Sequence, residues 1–118
     1  MIRLNPRSAF AFNNRCWARF ALGQLSDALG DCDEALRLRP DYALAYKTRG
    51  FVELKMGKPH MAGADFEAAL AIHPNFATAL YGRGLAKKKQ GGAGDADIAA
   101  AKQLDAKVAQ TFVRYGLE

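Results

Sequence analysis

β-Branched residues are scarce in this sequence: Val, Ile and Thr together fill nine of 118 positions. A sheet built from such a chain would lack the side chains that pack well on a pleated surface. Long apolar runs are also missing. No stretch approaches the roughly 18 uninterrupted apolar residues that span a bilayer, and Met1-Ile2-Arg3-Leu4-Asn5-Pro6 lacks the apolar core of a signal peptide. No membrane association is expected, and the cytoplasm is the default compartment. Histidine is limited to His60 and His73, each without a partner at helical spacing or a Cys or carboxylate cluster, so no metal site is expected. Cys16 and Cys32 do not form a CxxC pair, and both read as reduced, buried small hydrophobes. The run Gly91-Gly92-Ala93-Gly94 is no phosphate loop, because no strand precedes it and no Lys-Ser/Thr follows. No nucleophile, base and orienting group stand at a known spacing. The sequence therefore gives no ground for an enzyme or for a cofactor.

Alanine, by contrast, is abundant. Its 23 copies favour helix, and 118 residues suffice for one domain that buries about two-thirds of its unfolded surface without a metal or a staple. An internal repeat then organises the chain. Pro6, Pro40 and Pro74 are spaced by 34, and the register continues through Ala9/Ala43/Ala77, Ala11/Ala45/Ala79, Arg15/Arg49/Arg83, Trp17/Phe51/Leu85 and Gly23/Gly57/Gly91. Each unit reads as two helices around a glycine turn. In the second unit Asp41 is expected to cap a helix over about 43 to 55, Gly57 to stop it, and Pro59 to open a second helix over about 59 to 72. Asn75 is the matching cap in the third unit, and Ser26 is expected to cap the second helix of the first.

These spacings resemble the tetratricopeptide repeat, whose pattern is W-x2-L-G-x2-Y, then A-x3-F, then P over 34 residues. The second unit carries Tyr46, Gly50, Ala62, Phe66 and Pro74 at those places, and the first carries Phe12, Cys16, Ala28, Cys32 and Pro40. Two departures recur: Arg15, Arg49 and Arg83 replace the Leu, and Arg19, Glu53 and Lys87 replace the Tyr. The third unit aligns only with a two-residue deletion near Gly91 to Gly94, which puts its second helix at about 94 to 105 with Ile98 and Ala101 inward. The resemblance implies an all-α, right-handed superhelix of three antiparallel helix pairs, with repeats at about 9–42, 43–76 and 77–106. A capping helix over about 107–116 should follow, with Val108, Phe112 and Tyr115 on one face. Residues 1–8 match the tail of a truncated upstream repeat, and the run from Tyr81 to Gly116 looks like the end of bacterial tetratricopeptide arrays.

Charge divides between the two sets of helices. The first helices carry nine basic residues against Glu53, and the second helices carry nine acidic residues against three basic ones. Asp31, Asp65 and Asp97 recur opposite the three arginines and read as structural partners of Arg15, Arg49 and Arg83. The resemblance implies that first helices line a concave groove, which would then be basic inside and acidic outside. The expected groove residues are Asn13, Trp17, Phe20, Lys47, Phe51, Lys55, Tyr81, Leu85 and Lys88. The family's carboxylate clamp for chaperone C-termini is missing, because Asn13, Trp17, Thr48, Thr78 and Gly82 occupy its places.

The leading reading is a non-enzymatic scaffold that binds a protein segment, acidic with apolar anchors, in that groove. The second is self-association into a homo-oligomer through the apolar ribbon that Trp17, Phe51 and Leu85 form at the spacing of 34, or through the exposed N-terminal flank. Nucleic-acid binding ranks third: Lys87-Lys88-Lys89 and a net charge of +5 favour it, but aromatic interleaving is limited to Trp17, Phe51 and Tyr81.

Overall fold

The computed structural model describes residues 8–118. Seven helices follow in order: α1 (Ala9–Ala21), α2 (Leu25–Leu38), α3 (Ala43–Lys55), α4 (Pro59–Ile72), α5 (Ala77–Lys89), α6 (Asp95–Leu104) and α7 (Val108–Arg114). The first six form three pairs, α1/α2, α3/α4 and α5/α6, which stack so that α2 packs on α3 and α4 on α5. The reading of residues 1–8 as a repeat tail falls outside the described residues, except for Ser8. Its hydroxyl accepts the Ala11 N–H at 3.1 Å and caps α1.

The glycine turns are alike in all three pairs. Gly57 has φ +76°, a left-handed conformation that costs glycine nothing, and its N–H and that of Lys58 donate back to the carbonyls of Leu54 and Glu53 at 3.0 and 2.9 Å. The same paired bonds close α1 and α5. The N-terminal caps differ from the expectation. Tyr42 and Phe76, not Asp41 and Asn75, precede α3 and α5, and Ser26 lies inside α2 behind Gln24. The reason at α3 is packing, since the Tyr42 ring is buried against Ala35, Leu36 and Ala45 and holds the chain in the turn.

The pairs close through one steric contact, repeated with different chemistry. A Cβ on Gly50 would lie 2.7 Å from the Phe66 ring, and one on Gly84 would lie 2.8 Å from Ile98 Cγ1. A bulky side chain on the second helix thus needs a gap on the first. In the first pair the same places hold Cys16 and Cys32, and the structure joins them in a disulfide with Cα atoms 5.5 Å apart. This corrects the expectation of two reduced thiols. Two side chains of equal, small size meet where the other pairs set glycine against a large residue, so their sulfur atoms face each other. The spacing of 16 is the one that joins Arg15 to Asp31 and Arg49 to Asp65.

Those arginine pairings are present in all three units. Arg15 Nε and Nη2 donate to the two oxygens of Asp31 at 2.8 Å each, Arg49 does so to Asp65 at 2.8 and 2.7 Å, and Arg83 to Asp97 at 2.9 Å each. The two-pronged geometry fixes the register of each pair as well as neutralising a buried carboxylate. It also holds the Asp97 carboxyl below the usual range and raises the guanidinium of Arg83. Reduction should lower stability by about 3 kcal/mol, because it frees a loop of this length in the unfolded chain. Urea unfolding with and without reductant measures this, and an unchanged midpoint would mean that the thiols are not joined in solution.

Candidate functional site

The expected groove residues lie on α1, α3 and α5, and the structure gathers most of them around the C-terminal segment. α7 and the residues after it lie across these three helices rather than only extending the stack. Phe112 is fully buried, with its ring centroid 4.7 Å from Phe51 and 4.6 Å from Tyr81. Three residues on, Tyr115 reaches α1, 5.0 Å from Trp17 and 5.5 Å from Phe20. Trp17 in turn contacts Phe20 and Phe51 at 5.4 and 5.5 Å. The apolar ribbon is therefore covered by the chain's own C-terminus and is not an open surface.

The sequence of the segment explains how it reaches so far. Val108, Phe112 and Tyr115 fall at i, i+4 and i+7, so one face of α7 and its C-cap residue carries all three. Gly116 then turns the chain at φ +68°, with the Leu117 N–H donating to the Phe112 carbonyl at 2.9 Å. Leu117 is buried beyond the turn. Polar contacts hold the same stretch. Lys55 Nζ donates to the Tyr115 carbonyl at 2.9 Å, and the Tyr81 hydroxyl donates to Glu118 Oε1. Burial first, and the Glu118 carboxylate second, push the Tyr81 hydroxyl well above the usual phenol range.

Lys47 occupies the position of α3 that Asn13 holds in α1 and Tyr81 in α5. Its ammonium sits 4.4 Å from the Trp17 ring centroid and 5.4 Å from that of Phe51. Among the described residues no carboxylate pairs with it. Burial lowers it to about 8, and the aromatic faces provide its compensation. Among the described residues, Asn13, 6% exposed, finds no hydrogen-bond partner for its Oδ1. Leu85 is buried in the same core as Phe51 and Tyr81.

Lys88 is the exception among the nine. It turns toward the start of α6 and pairs with Asp95 at 3.1 Å, because the short turn after α5 brings that carboxylate close. Arg19 and Lys87 are likewise engaged, with Asp31 and Asp97 at 2.9 Å each. The excess of positive charge on the first helices is thus largely neutralised between helices. What remains beside the ribbon is Lys47 and Lys55.

Among the described residues no group of three or more His, Cys, Asp or Glu is placed to hold a metal ion, and no helix is long and apolar enough to cross a membrane. No protein-family model matches the chain, and no curated protein does. Solved structures do. Two crystal structures of MamA superpose with TM-scores of 0.77 and 0.79 at 28% identity, over 91% of this chain. The fold is a tetratricopeptide-type α-α superhelix. The chain spans 60% and 64% of the length of those two MamA chains.

The sign of the Lys47 contribution follows from its lowered value. A base whose folded value lies below the ordinary 10.5 contributes stability above that pH and loses it as pH falls through about 8. Lys47→Met should therefore match the parent near pH 10.5 and exceed it at pH 7 by on the order of 1 kcal/mol, after discounting for partial exposure. Urea unfolding across that range checks it, and a variant less stable at pH 7 than at pH 10 relative to the parent would contradict it.

Proposed function

We propose that the chain is a protein-interaction module without catalytic activity, whose concave face binds a segment of a protein partner. One observation carries this reading: the ribbon of Trp17, Phe20, Phe51 and Tyr81 packs against a short segment bearing spaced aromatics, and its polar neighbours Lys55 and Tyr81 donate to a carbonyl and a carboxylate of the same segment. A partner with apolar anchors and an acidic end fits the same chemistry, because Lys47 and Lys55 are the charges left beside the ribbon. The resident segment 108–118 then acts as the competitor that such a partner displaces. The tetratricopeptide-type fold shared with MamA supports a scaffolding role over an enzymatic one. Chaperone tails and nucleic acid stay outside the proposal.

The single tryptophan makes the test direct, since Trp17 lies against Tyr115. A chain ending at residue 106, shown by circular dichroism to keep its helices, is titrated with a synthetic peptide of residues 107–118. Trp17 emission should shift and saturate, and a Phe112→Ala/Tyr115→Ala peptide should bind at least about tenfold more weakly, as expected from losing two buried rings. No saturable shift in a folded truncated chain would overturn the groove reading.

Self-association is the second reading, and a separate patch favours it. Phe10 and Leu44, equivalent positions of α1 and α3, are 63% and 44% exposed, beyond what α7 covers. Light scattering over a wide concentration range should show mass rising with concentration in the parent, and a Phe10→Ser/Leu44→Ser chain should remain monomeric. A parent that stays monomeric throughout would remove this reading.

A further inference from the structure

The second unit breaks the charge pattern that its neighbours share. In the first unit Asp31 is met by two cations, Arg15 and Arg19, and in the third Asp97 is met by Arg83 and Lys87. The place of Arg19 and Lys87 is taken in the second unit by Glu53. Arg49 stands alone there and serves two carboxylates, Asp65 at 2.7 Å and Asp33 of α2 at 3.0 Å. Two cations per carboxylate have become one cation for two carboxylates and a carboxyl group.

The consequence is visible at Glu53 itself. Its side chain is 3% exposed and, among the described residues, its Oε1 finds no hydrogen-bond partner, while the carboxyl group shares a side-chain hydrogen bond with Asp65. A buried polar atom of that kind costs free energy unless something meets it. Beside it opens a cavity of about 400 Å³ between α2, α3 and α4, lined by Leu29, Asp33, Arg49, Glu53, Met61 and Asp65 among others. Met61, 47% exposed, gives the mouth an apolar lip. None of these residues belongs to the concave ribbon.

We propose that this cavity binds a basic side chain, guanidinium or ammonium, from a partner segment, at the place where Arg19 and Lys87 stand in the flanking units. The apolar lip of Leu29 and Met61 suits the methylene stem of such a side chain, and the carboxyl groups suit its charged head. The groups facing the cavity are Asp33 from α2, Arg49 and Glu53 from α3, and His60 and Asp65 from α4. With Arg49 balancing one aspartate, the site carries one net negative charge while Glu53 is protonated. Burial first, and the hydrogen bond to the Asp65 carboxylate second, hold the Glu53 carboxyl well above the usual carboxylate range, so it keeps its proton at neutral pH, and an arriving cation favours its ionised form. Binding should therefore release a proton. The site is independent of the concave groove, and either can fail without the other.

The probes are acetyl-arginine amide, acetyl-lysine amide and the neutral isostere acetyl-citrulline amide, added to the full chain with the Met61 methyl group labelled for NMR. The two cations should move the Met61 signal along a saturating curve, and citrulline should require at least about tenfold more ligand, the loss expected for removing a charge-assisted contact. Calorimetry in buffers of different ionisation enthalpy should register proton release on arginine binding. Glu53→Gln keeps size and hydrogen bonding but cannot ionise, so it should abolish that release and weaken binding. Asp33→Asn, at an exposed rim position, should weaken binding without touching the buried carboxyl, which keeps the test open if Glu53→Gln disturbs folding. Equal response to citrulline, undiminished binding by both variants, or no movement of Met61 with either cation would each overturn the proposal.

Discussion

A helix pair in this chain closes only where a side chain of the second helix finds room on the first. Phe66 shows the constraint at its tightest, because its ring approaches both Gly50 of α3 and Gly82 of α5, where an added Cβ would lie 2.7 and 2.5 Å away. One aromatic ring therefore sets the spacing within a unit and between two units. The arginine forks depend on that spacing. Arg49 reaches both oxygens of Asp65 only because α3 and α4 approach closely enough, and the fork then locks the sliding freedom that the steric contact leaves. In the first pair a covalent bond between Cys16 and Cys32 replaces the steric contact.

The C-terminal segment covers the aromatic face of α1, α3 and α5. Phe112 on α7 and Tyr115 at its C-cap would be exposed on an isolated segment, whose seven-residue helix is too short to persist alone in water. They fold because α1, α3 and α5 present rings at matching distances. The same complementarity describes what the face holds in this structure, namely spaced aromatic anchors followed by a carboxylate.

The electrostatics work by compensation between helices rather than by a field spread over a face. Basic residues of α1 and α5 pair with acids of α2 and α6, so the segregation counted along the sequence largely cancels in space. Lys47 and Glu53 are among the residues that escape it. Lys47 is held by aromatic faces instead of a carboxylate, and Glu53 is buried beside another acid. Both lie on α3, the central first helix, where neighbours on either side restrict access to water. Function is most expected where such local conflicts are tolerated.

The sequence by itself determined the three helix pairs, their glycine turns and the partnership of each arginine with its aspartate. Those features depend on residues at fixed separations of 34, 16 or a few positions, and a repeat writes such separations openly. It also placed Val108, Phe112 and Tyr115 on one face. Where that face docks was decided only by the tertiary structure, because Tyr115 meets Trp17 across nearly the whole chain and no spacing rule reaches so far. The helix caps and the partner of Lys88 were likewise settled by packing and by a short turn. The disulfide stands between the two cases. Its spacing of 16 matches the arginine–aspartate pairs, but only the close approach of α1 and α2 turns two small buried residues into a bond.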